Sequence, residues 1–314
     1  MDIKKLKGKY YISVIGDYIV FRGDDLVIFK MDGSFVARRS DLRNVTKIVS
    51  LGNDRLLLDD SWARTYAVIS TKDGTDVWKI KYPKRDTSKF KFLISPDTTM
   101  AFDLYSDRYG DHLAMIDLEE RKLEALDLKV GLSCVADLDF DENGELCLLE
   151  TQGEMIEDEH MSSNGIRYIR PDDIDPGGAY YWKNKWQSTF VSHARFFFGD
   201  TETILTDDLQ LYHHRTGQSI PLLDDDRFDK NARLSSWIKT TCGRYIILRY
   251  QRMHVVVDIQ TRKMVARYQA SYRNGCLIGD EYWICTEEGI VRKPFPLIED
   301  IPPEKYVFWK PYLK

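Results

Sequence analysis

One pattern recurs seven times along the 314 residues and restricts what the chain can fold into. A turn rich in Gly, Asp or Asn leads into a short apolar strand, a second turn and a strand of β-branched and aromatic residues follow, and a polar hairpin turn closes the pass. The first of these strands reads DYIVF, DRLLL, TTMAF, GELCLL, ETILT, RYIILR and EYWIC in successive passes. The second reads LVIF, YAVIS, LAMID, IRYI, LQLY, HVVVD and GIVRK. Runs of this kind bounded by turn residues are antiparallel strands, and their repetition marks an array of equivalent sheets. Taking Ile28, Val68, Ile116, Ile169, Tyr212, Val257 and Val291 as equivalent positions gives spacings of 40, 48, 53, 43, 45 and 34 residues. These straddle the roughly 40–45 residues that one four-stranded sheet requires. Helical periodicity is absent almost everywhere, so the expectation is all-β with essentially no long helix.

The turn after the second strand of each pass also recurs, as KMDG (30–33), TKDG (71–74), LEER (118–121), HRTG (214–217) and IQTR (259–262). A tight hairpin there needs a positive φ, which Gly and Asp accept. The run AVISTKDGTDVW, Ala67 to Trp78, resembles the repeat of quinoprotein-type propellers, in which a Trp four residues after the turn glycine docks neighbouring blades. LQLYHHRTGQSIPL and HVVVDIQTRKMVARY are similar in outline without the Trp. The resemblance is to the β-propeller superfamily with degenerate quinoprotein- or WD-like repeats. No segment carries both the Gly-His and Trp-Asp dipeptides of true WD repeats, and the quinone-binding residues of quinoproteins find no match. Together, repeat and resemblance predict one domain over 1–314, a single seven-bladed β-propeller of four-stranded antiparallel blades, approximately 9–44, 45–88, 89–131, 132–188, 189–234, 235–272 and 273–314. The fourth strand of the last blade is expected either from YVFWK (306–310) or from IKKL (3–6). In such a fold each sheet is covered on both faces by its neighbours, and closure protects surfaces that an open sheet would expose. Trp78 is expected between blades.

Composition narrows the function classes. A net charge of −5 and a pI near 5.8 argue against a phosphate-backbone binder, which needs a basic face, so no nucleic-acid partner is expected. No apolar run reaches the length of a signal peptide or a membrane span, which predicts no membrane association and a cytoplasmic location; a monomer is expected. Cys134, Cys147, Cys242, Cys276 and Cys285 lack CxxC spacing and read as small buried hydrophobes rather than as a zinc site or disulfide framework. No GxSxG, HExxH, P-loop or Rossmann glycine signature occurs. His213 and His214 are adjacent, so in a strand they point to opposite faces and cannot share a ligand. Neither a cofactor nor a metal is called. The acidic cluster of Glu154, Glu157, Asp158, Glu159 and His160 lacks the spacing of a calcium loop, and Asp224–Asp226 reads as a hydrated turn.

Blade order places the loops leaving each strand of the DYIVF series, the second of its four-stranded blade, and those entering each new blade, on one face. That face collects 59–65, 104–112, the insertion 151–165, 82–88 and 223–236. The candidate partner-binding residues there are Trp62, Arg64, Arg85, Arg108, Tyr109, Glu157, Asp158, Glu159, His160, Arg227 and Phe228; Trp, Tyr and Arg are the residue types enriched in interface hot spots. The leading expectation is a non-enzymatic binding or scaffold module that presents these loops to a protein partner. Two alternatives stay open: a hydrolase or lyase with a carboxylate and His site at the channel mouth, and a small-molecule or sugar-binding protein.

Overall fold

The computed structural model describes residues 2, 3, 6–8, 10–85, 87–107, 110–128, 134–156, 159–169, 186–188, 194–206, 208–224, 234, 236–239, 243–250, 253–269 and 275–294. Strands β1 (Tyr11–Ile15), β2 (Tyr18–Arg22), β3 (Leu26–Lys30) and β4 (Phe35–Arg39) form the first sheet, and β5 (Val45–Gly52), β6 (Arg55–Asp60), β7 (Thr65–Ser70) and β8 (Asp76–Lys81) the second. The third contains β9 (Thr87–Ile94), β10 (Met100–Asp107), β11 (Gly110–Asp117) and β12 (Lys122–Leu128); the fourth, β13 (Cys134–Phe140), β14 (Leu146–Ile156), β15 (Glu159–Ile169) and β16 (Trp186–Ser188). The fifth comprises β17 (Ala194–Phe197), β18 (Thr203–Thr206), β19 (Gln210–His213) and β20 (Gln218–Pro221), and the sixth β21 (Ser236–Lys239), β22 (Tyr245–Arg249), β23 (Met253–Asp258) and β24 (Lys263–Gln269). The last holds β25 (Gly275–Ile278), β26 (Glu281–Thr286) and β27 (Gly289–Pro294). Each sheet is an antiparallel meander in chain order.

Every predicted strand pair is found as the second and third strands of its sheet. The count of complete blades differs from the expectation: six sheets carry four strands, not seven, and the last carries three among the described residues. The reason lies at the two ends of the chain. Ile3 and Leu6, offered as part of a closing strand, instead make a turn in which Leu6 N donates to Ile3 O at 3.2 Å, and both are buried against the first and last sheets. The other candidate, 306–310, falls outside the described residues.

Burial explains why the middle strands read as unbroken apolar runs. In β2, β3, β6 and β7 consecutive residues are buried, as in any sheet covered on both faces. The fourth strands β4 and β8 each bury one position and leave the rest exposed or half-buried. Trp78 is the buried residue of β8, at 8% exposure between exposed Val77 and Lys79.

The recurrent hairpin turn adopts one geometry in five sheets. Its last residue has φ of 85° at Gly33, 75° at Gly74, 71° at Gly217 and 56° at both Arg121 and Arg262. Glycine takes this left-handed conformation without penalty, whereas an L-residue such as Arg262 is held there at a cost of about 1–2 kcal/mol. Asp258 offsets that cost: its carboxylate accepts from Gln260 N (2.9 Å), Thr261 N (3.3 Å) and the Arg244 guanidinium (2.7 Å).

The chain divides into two compact units, 1–79 with 221–314, and 80–220. In the first, successive cores join the sixth sheet to the last through Ile247, Val256, Leu277 and Tyr282, the last to the first through Ile12, Phe21, Cys276 and Trp283, and the first to the second through Val20, Ile28, Leu56 and Ile69. In the second unit, Leu104, Leu113, Leu138 and Leu148 join the third and fourth sheets, and Cys147, Leu149, Phe197 and Ile204 the fourth and fifth. Cys147, Cys276 and Cys285 are buried free thiols. Burial pushes Cys147 up to about 12 and Cys285 to about 11, so both stay protonated and inert.

Candidate functional site

In the first unit, the turn from β6 to β7 presents Trp62 at 81% exposure, by a wide margin the most exposed large hydrophobic residue described. The turn beneath it is fixed on both sides. Asp60, buried at 2%, accepts from Ala63 N (3.1 Å), while Ser61 N donates to Asn44 O (3.2 Å) and Asn44 Nδ2 to Ser61 Oγ (3.1 Å). Arg64 follows with φ 51° and is exposed. Thr65 Oγ1 closes the turn on Ala63 O at 3.1 Å. An aromatic ring and a guanidinium are thus held out to solvent on a hydrogen-bonded base, so little conformational entropy would be lost on docking.

The same end of the first unit carries a cationic pair. Arg22 ends β2 and Arg249 ends β22, equivalent positions in the second strands of their sheets. Arg22 Nη1 donates to Thr46 O (2.6 Å), Nη2 to Ser13 Oγ (3.2 Å), and its guanidinium lies 5.6 Å from the Tyr11 ring centre. Burial, then the nearby Arg249 charge, lowers the Arg22 pKa to about 10. Burial also lowers that of Arg249. Beside Arg249, His254 is hydrogen-bonded to Tyr282 Oη and is pushed to about 3 by burial and by the Arg249 charge. A histidine held neutral this firmly is a poor general base near neutral pH.

In the second unit, Arg85 is enclosed rather than presented. Its side chain is 6% exposed, its Nη1 contacts Asp103 Oδ2 at 2.6 Å, and its guanidinium lies between the Tyr82 and Tyr105 rings at 3.7 and 4.1 Å. His112 stacks on Tyr105 at 5.0 Å. This arrangement satisfies the charge internally, and Arg85 is committed to holding the connection into β9.

Two segments read as loops are extensions of hairpins. β14 and β15 pair from Leu146↔Ile169 to Ile156↔Glu159, with His160 opposite Met155; β10 and β11 pair as far as Asp107↔Gly110. Glu159 and His160 therefore lie on a strand, while Arg108, Tyr109, Glu157, Asp158, Arg227 and Phe228 fall outside the described residues. Of the sequence candidates, the structure brings Trp62 and Arg64 together on one turn. Arg22 and Arg249 were missed, although YIVFR and RYIILR, aligned by the repeat, both end in Arg.

No family model matches the chain, and no curated protein does. Solved structures do. Hydrazine synthase of Kuenenia stuttgartiensis superposes with a TM-score of 0.60 at 11% identity, over 92% of this chain and 96% of that one. The β-propeller domain of Myceliophteria thermophila Cps50 (Swd1) gives 0.59 at 12% identity, over 90% and 96%. The chain is a β-propeller. At such identities the likeness bears on the fold alone, and what this propeller does has to be argued from its own residues.

Proposed function

We propose that this propeller is a binding module that presents the β6–β7 end of its sheets to a protein partner. The observation that carries the reading is Trp62, 81% exposed on a turn whose base is buried and hydrogen-bonded. Exposing so large an apolar surface has no folding benefit, and Trp and Arg on a rigid support are the side chains that dominate interface energetics. Arg64 beside it adds directional donors. Catalysis forms no part of this reading.

The test is affinity capture from the native host with the intact protein and a Trp62→Ala/Arg64→Ala variant as matched baits. A protein retained by the first and lost from the second, with equal melting temperatures of the baits, supports the reading. Identical retained sets overturn it.

A further inference from the structure

The Trp62 turn is bordered by a second segment of the first unit. The connection from β4 to β5 runs alongside it, held by the two hydrogen bonds between Ser61 and Asn44. That contact brings exposed Arg43, the residue before Asn44, to the turn that carries Trp62 and exposed Arg64. Arg22 reaches the same connection from β2, its Nη1 donating to Thr46 O at 2.6 Å. Three arginines from three separate segments are thus gathered at the end of the sheets where one aromatic ring stands in solvent.

Among the described residues none of the three is paired with a carboxylate. Arg43 Nε donates to the backbone at Ser40 O (3.1 Å). Arg22 donates to two neutral oxygens, Thr46 O and Ser13 Oγ, and its Nε, shielded from solvent, has no acceptor. The acids near them in sequence are engaged with other groups. Asp25 pairs with Arg38, Asp41 with Arg39 (2.6 Å) and Lys79 (3.7 Å), and buried Asp59 accepts from Thr46 Oγ1 (2.9 Å). Asp24 is exposed beyond Arg22 and pairs with none of the three. On a chain of net charge −5, this end is locally cationic, and its charge is left for something outside the chain to neutralise.

We infer that the partner presents an acidic peptide segment here, with an apolar side chain against Trp62 and carboxylates on Arg43 and Arg64. Guanidinium groups take carboxylates through paired N–H donors, and a ring flanked by unpaired arginines repels a basic segment. Arg22 adds to the local field. A nucleic-acid backbone is the competing polyanion, but a long one extends past the patch onto a chain that is acidic overall, whereas a short segment meets only the patch. This inference rests on the partner-binding reading and gives that partner its chemistry.

Fluorescence anisotropy of the full chain with a labelled peptide of Glu-Phe-Glu-Glu repeats, in low-salt buffer, tests it. Saturable binding is expected, weakening as salt is added, with no binding of the same peptide carrying Lys for Glu. Arg43→Glu, Arg64→Glu and Trp62→Ala should each weaken it at least about tenfold. Lys72→Glu makes the same charge change at the opposite end of β7, where Lys72 is exposed, and should leave the affinity within about twofold. Should a glutamate variant fail to fold, Arg64→Gln removes the charge without reversing it and is expected to weaken binding several-fold. No saturable binding of the Glu peptide overturns the inference, as do equal losses in Lys72→Glu and Arg64→Glu or tighter binding of a labelled oligothymidylate. The partner-binding reading fails separately, when the wild-type and Trp62→Ala/Arg64→Ala baits retain identical sets of proteins; a protein lost from the variant bait while the Glu peptide does not bind overturns only the acidic assignment.

Discussion

A Cβ atom placed on Gly74 would lie 2.2 Å from the Cβ of Ala37, in the outer strand of the neighbouring sheet. The turn of the second sheet is seated directly on β4, and Arg39 fixes it there by donating to Gly74 O at 2.7 Å. Only a residue without a side chain fits, and φ of 75° favours the same. The glycine of the TKDG motif is therefore a docking residue as well as a turn residue.

Gly74→Ala should destabilise the protein by about 1–3 kcal/mol, combining overlap with backbone strain. Urea denaturation measures this. Adding Ala37→Gly removes the overlap but not the strain, so the double variant should be more stable than the sum of the single changes by at least about 0.5 kcal/mol. Additive losses would place the clash elsewhere.

Trp78→Ala should cost about 3–5 kcal/mol through lost packing and an unfilled cavity, because Trp78 is buried in β8. Its exposed neighbour provides the control: Val77→Ala should change stability by no more than about 0.5 kcal/mol. Equal denaturation midpoints for the two variants would contradict the burial.

Much of this was legible because the middle strands are covered on both faces. YIVF, LLL, VVV and their counterparts must be apolar throughout, and apolar runs between turn residues are what a sequence displays most plainly. The β14–β15 extension was hidden for the converse reason. β13 begins opposite Thr151 and β16 pairs with Gly165–Arg167, so among the described residues the hairpin beyond them is a two-stranded ladder. Backbone hydrogen bonds hold such a ladder, and Gln152, Ser162, Ser163 and Asn164 carry no apolar signature of it. Arg85 misled because sequence shows a charge in a connecting segment but not Asp103 and two tyrosine rings folded around it.

The fourth and fifth sheets are joined by a buried polar contact, Phe197 N donating to Asp137 Oδ2 at 3.0 Å. Asp137→Ala should leave that amide unsatisfied and cost about 1–3 kcal/mol. Asp137→Asn keeps an acceptor oxygen and should cost less. Thermal unfolding of both variants checks the order, which a mere loss of negative charge would not produce.

Stability should fall as pH drops from 7.5 to 5.5. His254 is held neutral in the folded protein, with its pKa lowered to about 3, and burial lowers His214 as well. In the unfolded chain both titrate near 6.5, so below that value the unfolded state binds more protons and gains relative stability. At pH 5.5 the loss is about 1.4 kcal/mol for His254 alone. In His254→Gln this part of the dependence should disappear when stability is measured by urea titration at the two pH values; an unaltered slope would show that His254 is not the group responsible.

The core shared by the first and last sheets has a consequence for biosynthesis. Ile12, Ile19 and Phe21 are covered by Cys276, Trp283 and Cys285, residues that leave the ribosome on the order of tens of seconds later at ordinary elongation rates. Throughout that interval the nascent first sheet has one apolar flank exposed to water, the condition in which chains aggregate or engage chaperones. Its translation product can finish folding only once the C-terminal sheet has emerged, so truncation before residue 276 removes far more than one sheet: it leaves the N-terminal sheet without its cover.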